Sequence, residues 1–204
     1  MAIFITFEGI DGCGKTTQCH LLSDFFKKAG KPHISIREPG ATKIGEQIRS
    51  IIQDPETIMD SHTEAYLYAA CRSELVESTI KPALKLGKIV LCDRFLDSSL
   101  AYQGYARGMG VQIVNSINQI ATKDATPDIT FFIDTPVEIA QSRLDKNNLD
   151  RIEQEGSIFQ EKVQQGYKEI AKENHRIIII DGSQSTDQIH QQILLYVIKH
   201  IEGS

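Results

Sequence analysis

A chain of 204 residues with 41% hydrophobic and 24% charged side chains, 14 Gly and 6 Pro, fits one compact domain or a domain carrying one small insertion, and excludes collagen-like, disordered and disulfide-scaffold chains. The 22 Lys and Arg against 27 Asp and Glu leave a net charge of -5, which argues against a protein that works by coating nucleic acid or anionic lipid. Cys13, Cys19, Cys71 and Cys92 form no CxxC pair, and the six His show no metal-like spacing. The opening MAIFITFEGIDG lacks a basic leader, and no apolar run approaches the roughly 18 residues of a bilayer span, so a reducing, cytoplasmic setting with no membrane partner is expected.

The first β-branched run, residues 3–7, reads as a strand. GIDGCGKT follows at once: Gly9, Ile10, Asp11, Gly12, Cys13, Gly14, Lys15 and Thr16 match GxxxxGK[ST], and a helix opens near Lys15 with Leu21, Leu22, Phe25 and Phe26 on one face. Further strands are expected at residues 33–37, 88–92, 129–134 and 176–181, separated by segments of helical spacing. The unbroken apolar runs at residues 89–92 and 177–180 point to central strands buried on both faces. The polar stretch DKNNLDRIEQEG at residues 145–156 reads as a mobile lid. The last helix carries Ile189, Ile193, Leu194, Val197, Ile198 and Ile201 on one face. Strand followed by helix, repeated, predicts an α/β fold of three layers, a five-stranded parallel sheet with helices on both faces.

The glycine motif has a direct physical reading. Glycines let backbone wrap closely around phosphate oxygens, successive N–H groups and a helix N-terminus face the negative charge, Lys15 adds a mobile cation, and the Thr16 hydroxyl suits Mg²⁺. Binding of ATP or GTP is expected there. Asp93 and Arg94 end the strand KIVLC, and because ligands gather at the carboxyl ends of parallel strands, Asp93 should approach the same crevice. On local sequence alone, Asp93 serves equally as a helix cap and Arg94 as a surface residue. No guanine-specific NKxD string is present, the nearest being Thr122-Lys123-Asp124-Ala125, which moves small-molecule phosphoryl transfer ahead of a GTPase switch.

The blocks FEGIDGCGKTTQ, REPGAT, YLYAACR, DRFLDSSLAYQGYARG, PDITFFID and LDRIEQE, in that order along nearly the whole chain, resemble the thymidylate kinase family. The resemblance implies a P-loop kinase fold over residues 1–204, with a lid at about 143–156, and phosphorylation of dTMP to dTDP by ATP and Mg²⁺, a step toward dTTP. It implies that Gly9 to Thr16 and Thr17 hold the ATP phosphates, with Arg143 against ATP. Lys15, Arg94 and Arg151 would neutralise the transferred phosphoryl group, and Thr16, Asp93 and Glu8 would serve the metal. Arg37 would pair with the acceptor phosphate beside the turn at Pro39, and Asp11 would meet the sugar 3'-hydroxyl. Tyr68 and Arg72, four apart on a helix, would stack on thymine and donate to its O4, with Ser99 and Gln103 bonding the base and Tyr102 against the sugar. Two positions depart from the usual FAADR pattern, Tyr68 for Phe and Cys71 for Asp, and Gly12 stands where some members carry an Arg, which implies a catalytic cation supplied from the lid. The family also implies a homodimer. Glu8 reads equally as a strand-end carboxylate, and Tyr68 as a core residue. A P-loop kinase with another pyrimidine acceptor, and a nucleotide-controlled binding protein without transfer activity, are the alternatives.

Overall fold

The computed structural model describes residues 2–145 and 147–202. Five strands alternate with helices in chain order: β1 (Ile3–Glu8), α1 (Lys15–Lys28), β2 (His33–Arg37), α2 (Lys43–Gln53), α3 (Ser61–Leu75), α4 (Lys81–Lys85), β3 (Ile89–Asp93), α5 (Leu96–Ser99), α6 (Val111–Thr122), β4 (Ile129–Asp134), α7 (Val137–Ser142), α8 (Gly156–Glu173), β5 (Ile177–Asp181) and α9 (Thr186–Glu202). Wide π turns at Val76–Ile80 and Leu100–Ala106 extend α3 and α5. The strands lie parallel in the order β2-β3-β1-β4-β5. Each strand falls within one residue of its sequence-based position.

Alternation along β1 sets the two covered faces. Ile3, Ile5 and Phe7 pack with Leu22 and Phe26 of α1 and with Ile189, Ile193 and Val197 of α9. Phe4 turns the other way, onto Leu75, Val76, Val90 and Phe95. A third cluster joins Phe132 and Ile133 of β4 to Val163, Tyr167 and Ile170 of α8. Helix starts follow their caps: Thr42 Oγ1 accepts from Gly45 N at 2.9 Å before α2, and Asp60 Oδ1 accepts from His62 N at 2.8 Å before α3.

One expectation is overturned. The IIII run was expected at the centre of the sheet, and it forms β5, an edge strand paired only with β4, with Ile179 52% exposed. Unbroken apolar character does not fix a strand's place in the sheet: Ile177 packs with α8 and Ile180 with α9, while Ile179 of the same edge strand stays half exposed. The IVLC run does lie inside, as β3 between β2 and β1.

The order places β1 where the chain reverses direction across the sheet, with β3 on one side and β4 on the other. A crevice opens beyond the carboxyl ends of the strands at such a point.

Candidate active site

A cleft of about 520 Å³ occupies that position. Asp11 to Thr17 form its floor, Arg37 and Pro39 one end, Asp93 and Arg94 the middle, Tyr68, Ser99, Tyr102 and Gln103 a side wall, and Arg143 part of the opposite rim. Residues scattered from position 11 to position 143 of the sequence are thus brought together by the strand order.

Close approach fixes the glycine loop. Gly12 has φ 81, and a Cβ there would collide with the Ala140 carbonyl oxygen. Gly9 has φ 140, with Cys13 Sγ and the Ile133 carbonyl where a Cβ would stand. Lys15 lies across the loop, its Nζ donating to Ile10 O at 2.8 Å. Gly9 and Ile10 lie beneath the cleft, where their carbonyl oxygens hold Arg94 and Lys15.

Arg94 carries the geometry of the middle. Its backbone sits in the left-handed region, φ 70, unusual for a non-glycine residue and tied down by Arg94 N donating to Phe7 O at 2.9 Å. From there its guanidinium donates to Gly9 O at 2.8 Å and to Asp11 Oδ1 at 2.5 Å, over the Tyr102 ring. Burial alone would raise the Asp11 carboxyl, but the charges of Arg94 and Lys15 outweigh it and hold the group at about 2.

Thr16 Oγ1 donates to Asp93 Oδ2 at 2.5 Å, beside the end of β1. These two oxygens are hard donors facing the phosphate loop, and among the described residues no group of three metal-ligating side chains exists. That donor set suits a Mg²⁺ ion that keeps waters and takes its other oxygens from phosphates.

Three expected site residues sit elsewhere. Glu8 was expected near the metal, yet it is fully buried below the loop, accepting from Phe95 N, Ser98 Oγ and Tyr167 OH at 2.8, 2.5 and 2.9 Å. Burial and the nearby Asp97 charge push its carboxyl up to about 7. A residue ending an inner strand points into the layer of covering helices when the alternation says so, and Glu8 shares the phase of Phe4. Arg72 was expected to touch a base. It is 1% exposed and donates to Glu38, Asn118, Ser99 Oγ and Phe95 O, behind the wall that Ser99 and Gln103 present. Tyr68, one turn away, does face the cleft.

Arg151 was expected at the transferring phosphoryl group. Its side chain instead donates to Ile52 O at 2.8 Å and Glu64 Oε2 at 2.6 Å, outside the cleft lining. Arg143 is the lid-side guanidinium that reaches the loop, donating to Gly12 O at 3.2 Å. Of the expected lid, Lys146 lies outside the described residues.

The structure adds residues that sequence reasoning missed. Arg49 and Gln53 of α2 line the cleft, Arg49 Nη1 donating to Pro39 O at 2.8 Å and Gln53 Nε2 to Asp150 Oδ2 at 2.8 Å. Their spacing of four on one helix, the signal that singled out Tyr68 and Arg72, was available for them too. Gln18, Gln184, Thr186 and Ile189 close the far end, with Gln18 Nε2 donating to Thr186 O at 2.9 Å. Contacts between α1 and the start of α9 carry no local sequence signature.

A glycine loop joining a central parallel strand to a helix, with an acid and an arginine at the end of the adjacent strand, defines a P-loop nucleotide-binding protein of the α/β class. Comparison with known proteins narrows the class. The thymidylate kinase family profile matches residues 7–193. Curated thymidylate kinases of Thermosipho africanus and Fervidobacterium nodosum are 49% and 47% identical to this chain, covering 98% and 94% of it and 100% and 96% of their own lengths. The crystal structure of thymidylate kinase from Ehrlichia chaffeensis superposes with a TM-score of 0.77 at 34% identity, covering 96% of this chain and 98% of that one. The chain belongs to the thymidylate kinase family.

Proposed function

We infer that this chain transfers the γ-phosphoryl group of ATP to the phosphate of dTMP, giving ADP and dTDP in the synthesis of dTTP. The observation that carries the reading is one cleft lined together by the glycine loop from Asp11 to Thr17, by Arg94 and by the guanidinium-bearing Arg37. Family membership supports it independently.

The acceptor oxygen is already anionic, so the reaction needs positioning and charge neutralisation rather than a strong base. The backbone from Asp11 to Thr17 would cradle the β- and γ-phosphates, with Lys15 and Arg94 against the oxygens that gain charge. Mg²⁺, when bound at Thr16 and Asp93, neutralises the donor phosphates. Arg37, now paired with Glu46 at 3.0 Å and half exposed, would hold the acceptor phosphate together with Arg49. Tyr68 would stack on the base, with Ser99 and Gln103 at its edge and Arg72 behind them fixing the Ser99 hydroxyl. Asp11 and Tyr102 would meet the sugar. Arg143 would lie against ATP. Arg151 would reach the phosphoryl group by exchanging Glu64 for phosphate oxygens, which closes the site against water. The chain would act as one domain and as a homodimer in the cytoplasm, its α3 offering Tyr66, 58% exposed, for pairing. Among the described residues no helix is long and apolar enough to cross a membrane.

The deciding experiment incubates the purified chain with ATP, Mg²⁺ and each of dTMP, dUMP, dCMP and deoxythymidine, and scores ADP release. Release dependent on dTMP is expected. A faster rate with another acceptor identifies a different kinase, and ATP binding without acceptor-dependent release identifies a binding protein.

A further inference from the structure

Beyond its contact with Arg151, Glu64 is buried, 1% exposed, and also reaches the nucleoside wall through Gln103. Its two oxygens face different partners. Oε1 accepts from Gln103 Nε2 at 2.8 Å and from Arg107 Nε at 3.3 Å. Oε2 accepts from Arg151 and Arg107 guanidinium nitrogens at 2.6 and 3.2 Å. Against the effect of burial, the Gln103 hydrogen bond and then the Arg107 and Arg151 guanidinium groups hold this carboxyl below its ordinary range.

An ionised carboxylate only accepts hydrogen bonds, so the Gln103 atom turned toward it must be the amide nitrogen. That fixes the sense of the Gln103 side chain. Among the described residues no group donates to its carbonyl oxygen, and Gln103 lines the cleft. An acceptor at the wall suits a ring N–H. Thymine and uracil carry N3–H, whereas cytosine has an unprotonated N3 whose lone pair would oppose a carbonyl oxygen.

We propose that Glu64 is a specificity-determining positioning residue: by holding the Gln103 amide nitrogen, it presents the Gln103 carbonyl oxygen to the acceptor base and selects pyrimidines with an N3–H over cytosine. The proposal rests on the reading of dTMP as acceptor. A site built around one hydrogen-bond sense rejects the complementary sense because a polar group is left facing its like.

The variant Glu64→Gln tests it with an isosteric change. Before Arg151 swings to phosphate, two guanidinium contacts of 2.6 and 3.2 Å meet the Oε2 position against one of 3.3 Å at Oε1, so the new amide oxygen settles at the Oε2 position and its NH₂ faces Gln103. Gln103 must then turn its own carbonyl toward residue 64 and its NH₂ toward the base. The expected result is a fall of about tenfold or more in the ratio of kcat/KM for dTMP to that for dCMP. A role limited to holding the lid would lower kcat for every acceptor alike and leave the ratio unchanged, which would overturn the proposal. The native chain supplies a test that no folding defect can obscure: calorimetric Kd for dUMP against its N3-methyl analogue, which keeps both carbonyls and has no N3–H to donate. Weakening by about tenfold is expected, and equal affinity overturns the proposal. If the native chain releases no ADP with dTMP, it is the function itself that fails; if it does so with the ratio and affinities unmoved, only the role of Glu64 fails.

Discussion

The glycine loop and the lid segment face each other across the same cleft and are held in opposite ways. The loop is fixed by backbone against backbone, Gly12 on the Ala140 carbonyl and Gly9 against Ile133, with a buried guanidinium beneath. The lid has one backbone tie to α2, Arg151 N donating to Gln53 O at 3.1 Å, and is otherwise fixed largely by side chains. Asp150 accepts from Ile152 N and Glu153 N at 2.9 Å, Arg151 rests on Glu64 and Ile52, and Arg107 binds Glu155 at 2.5 Å. Backbone contacts cannot be exchanged without moving an element, whereas a carboxylate on an arginine can be replaced by a phosphate with the same fork geometry. The part that must be preorganised is thus built from the first kind of contact, and the part that must respond to ligands largely from the second.

The sharpest break of this contrast comes at the loop. Lys15→Ala leaves the backbone cradle intact and removes the cation above it, so turnover should fall on the order of 10³-fold in steady-state ADP release while thermal stability changes little. Gly12→Ala should instead lower both ATP affinity and Tm, because the Ala140 carbonyl has to move. If Lys15→Ala unfolded the protein, the lysine would be a structural clamp for Ile10 rather than a phosphate ligand.

On the lid side, Arg151→Ala should reduce kcat by about 10²-fold and leave the dTMP KM within about threefold, the pattern of a group engaged only in the transition state. Unchanged kcat would confine Arg151 to the Glu64 contact seen here and leave Arg143, already on Gly12 O, as the lid-side cation of the reaction.

The same contrast explains what could be read from the chain. β-branched runs and the glycine motif are local, so the five strands, the helix at Lys15 and the floor of the cleft were legible, the strand-end position gave Asp93, and the resemblance to one family extended that to Arg37 and Tyr68. The position of β5 was not, because an apolar run can be partly covered at the edge of a sheet as well as wholly covered at its centre. Glu8 and Arg72 were expected at the ligand, but their partners Tyr167, Asn118 and Glu38 come from distant elements and satisfy their hydrogen bonds behind the wall. Charged residues in a motif reveal that charge is needed near the site; whether it faces the ligand or a neighbour is decided by packing.

Glu8 supplies the smallest and most selective test, since it lies under the rigid half of the site. Its folded carboxyl is raised from an ordinary 4.5 to about 7 by burial and by Asp97. Between those values the folded chain holds a proton that the unfolded chain has released, so the stability this group contributes is complete below pH 4.5 and is lost as pH rises through 7. Glu8→Gln keeps a neutral side chain in the same space at every pH. Its Tm should therefore decline less between pH 5 and pH 8 than that of the native chain, a shift of a few degrees by scanning calorimetry, while Arg151→Ala should leave the native pH slope unchanged. Glu38, also raised to about 7, owes that to burial first and to the Glu8 charge in lesser part, so its contribution is similar but not identical in the two proteins. Parallel slopes for native and Glu8→Gln chains would mean that Glu8 is ionised in the fold, stabilised by the Arg94 charge that now only partly offsets its burial.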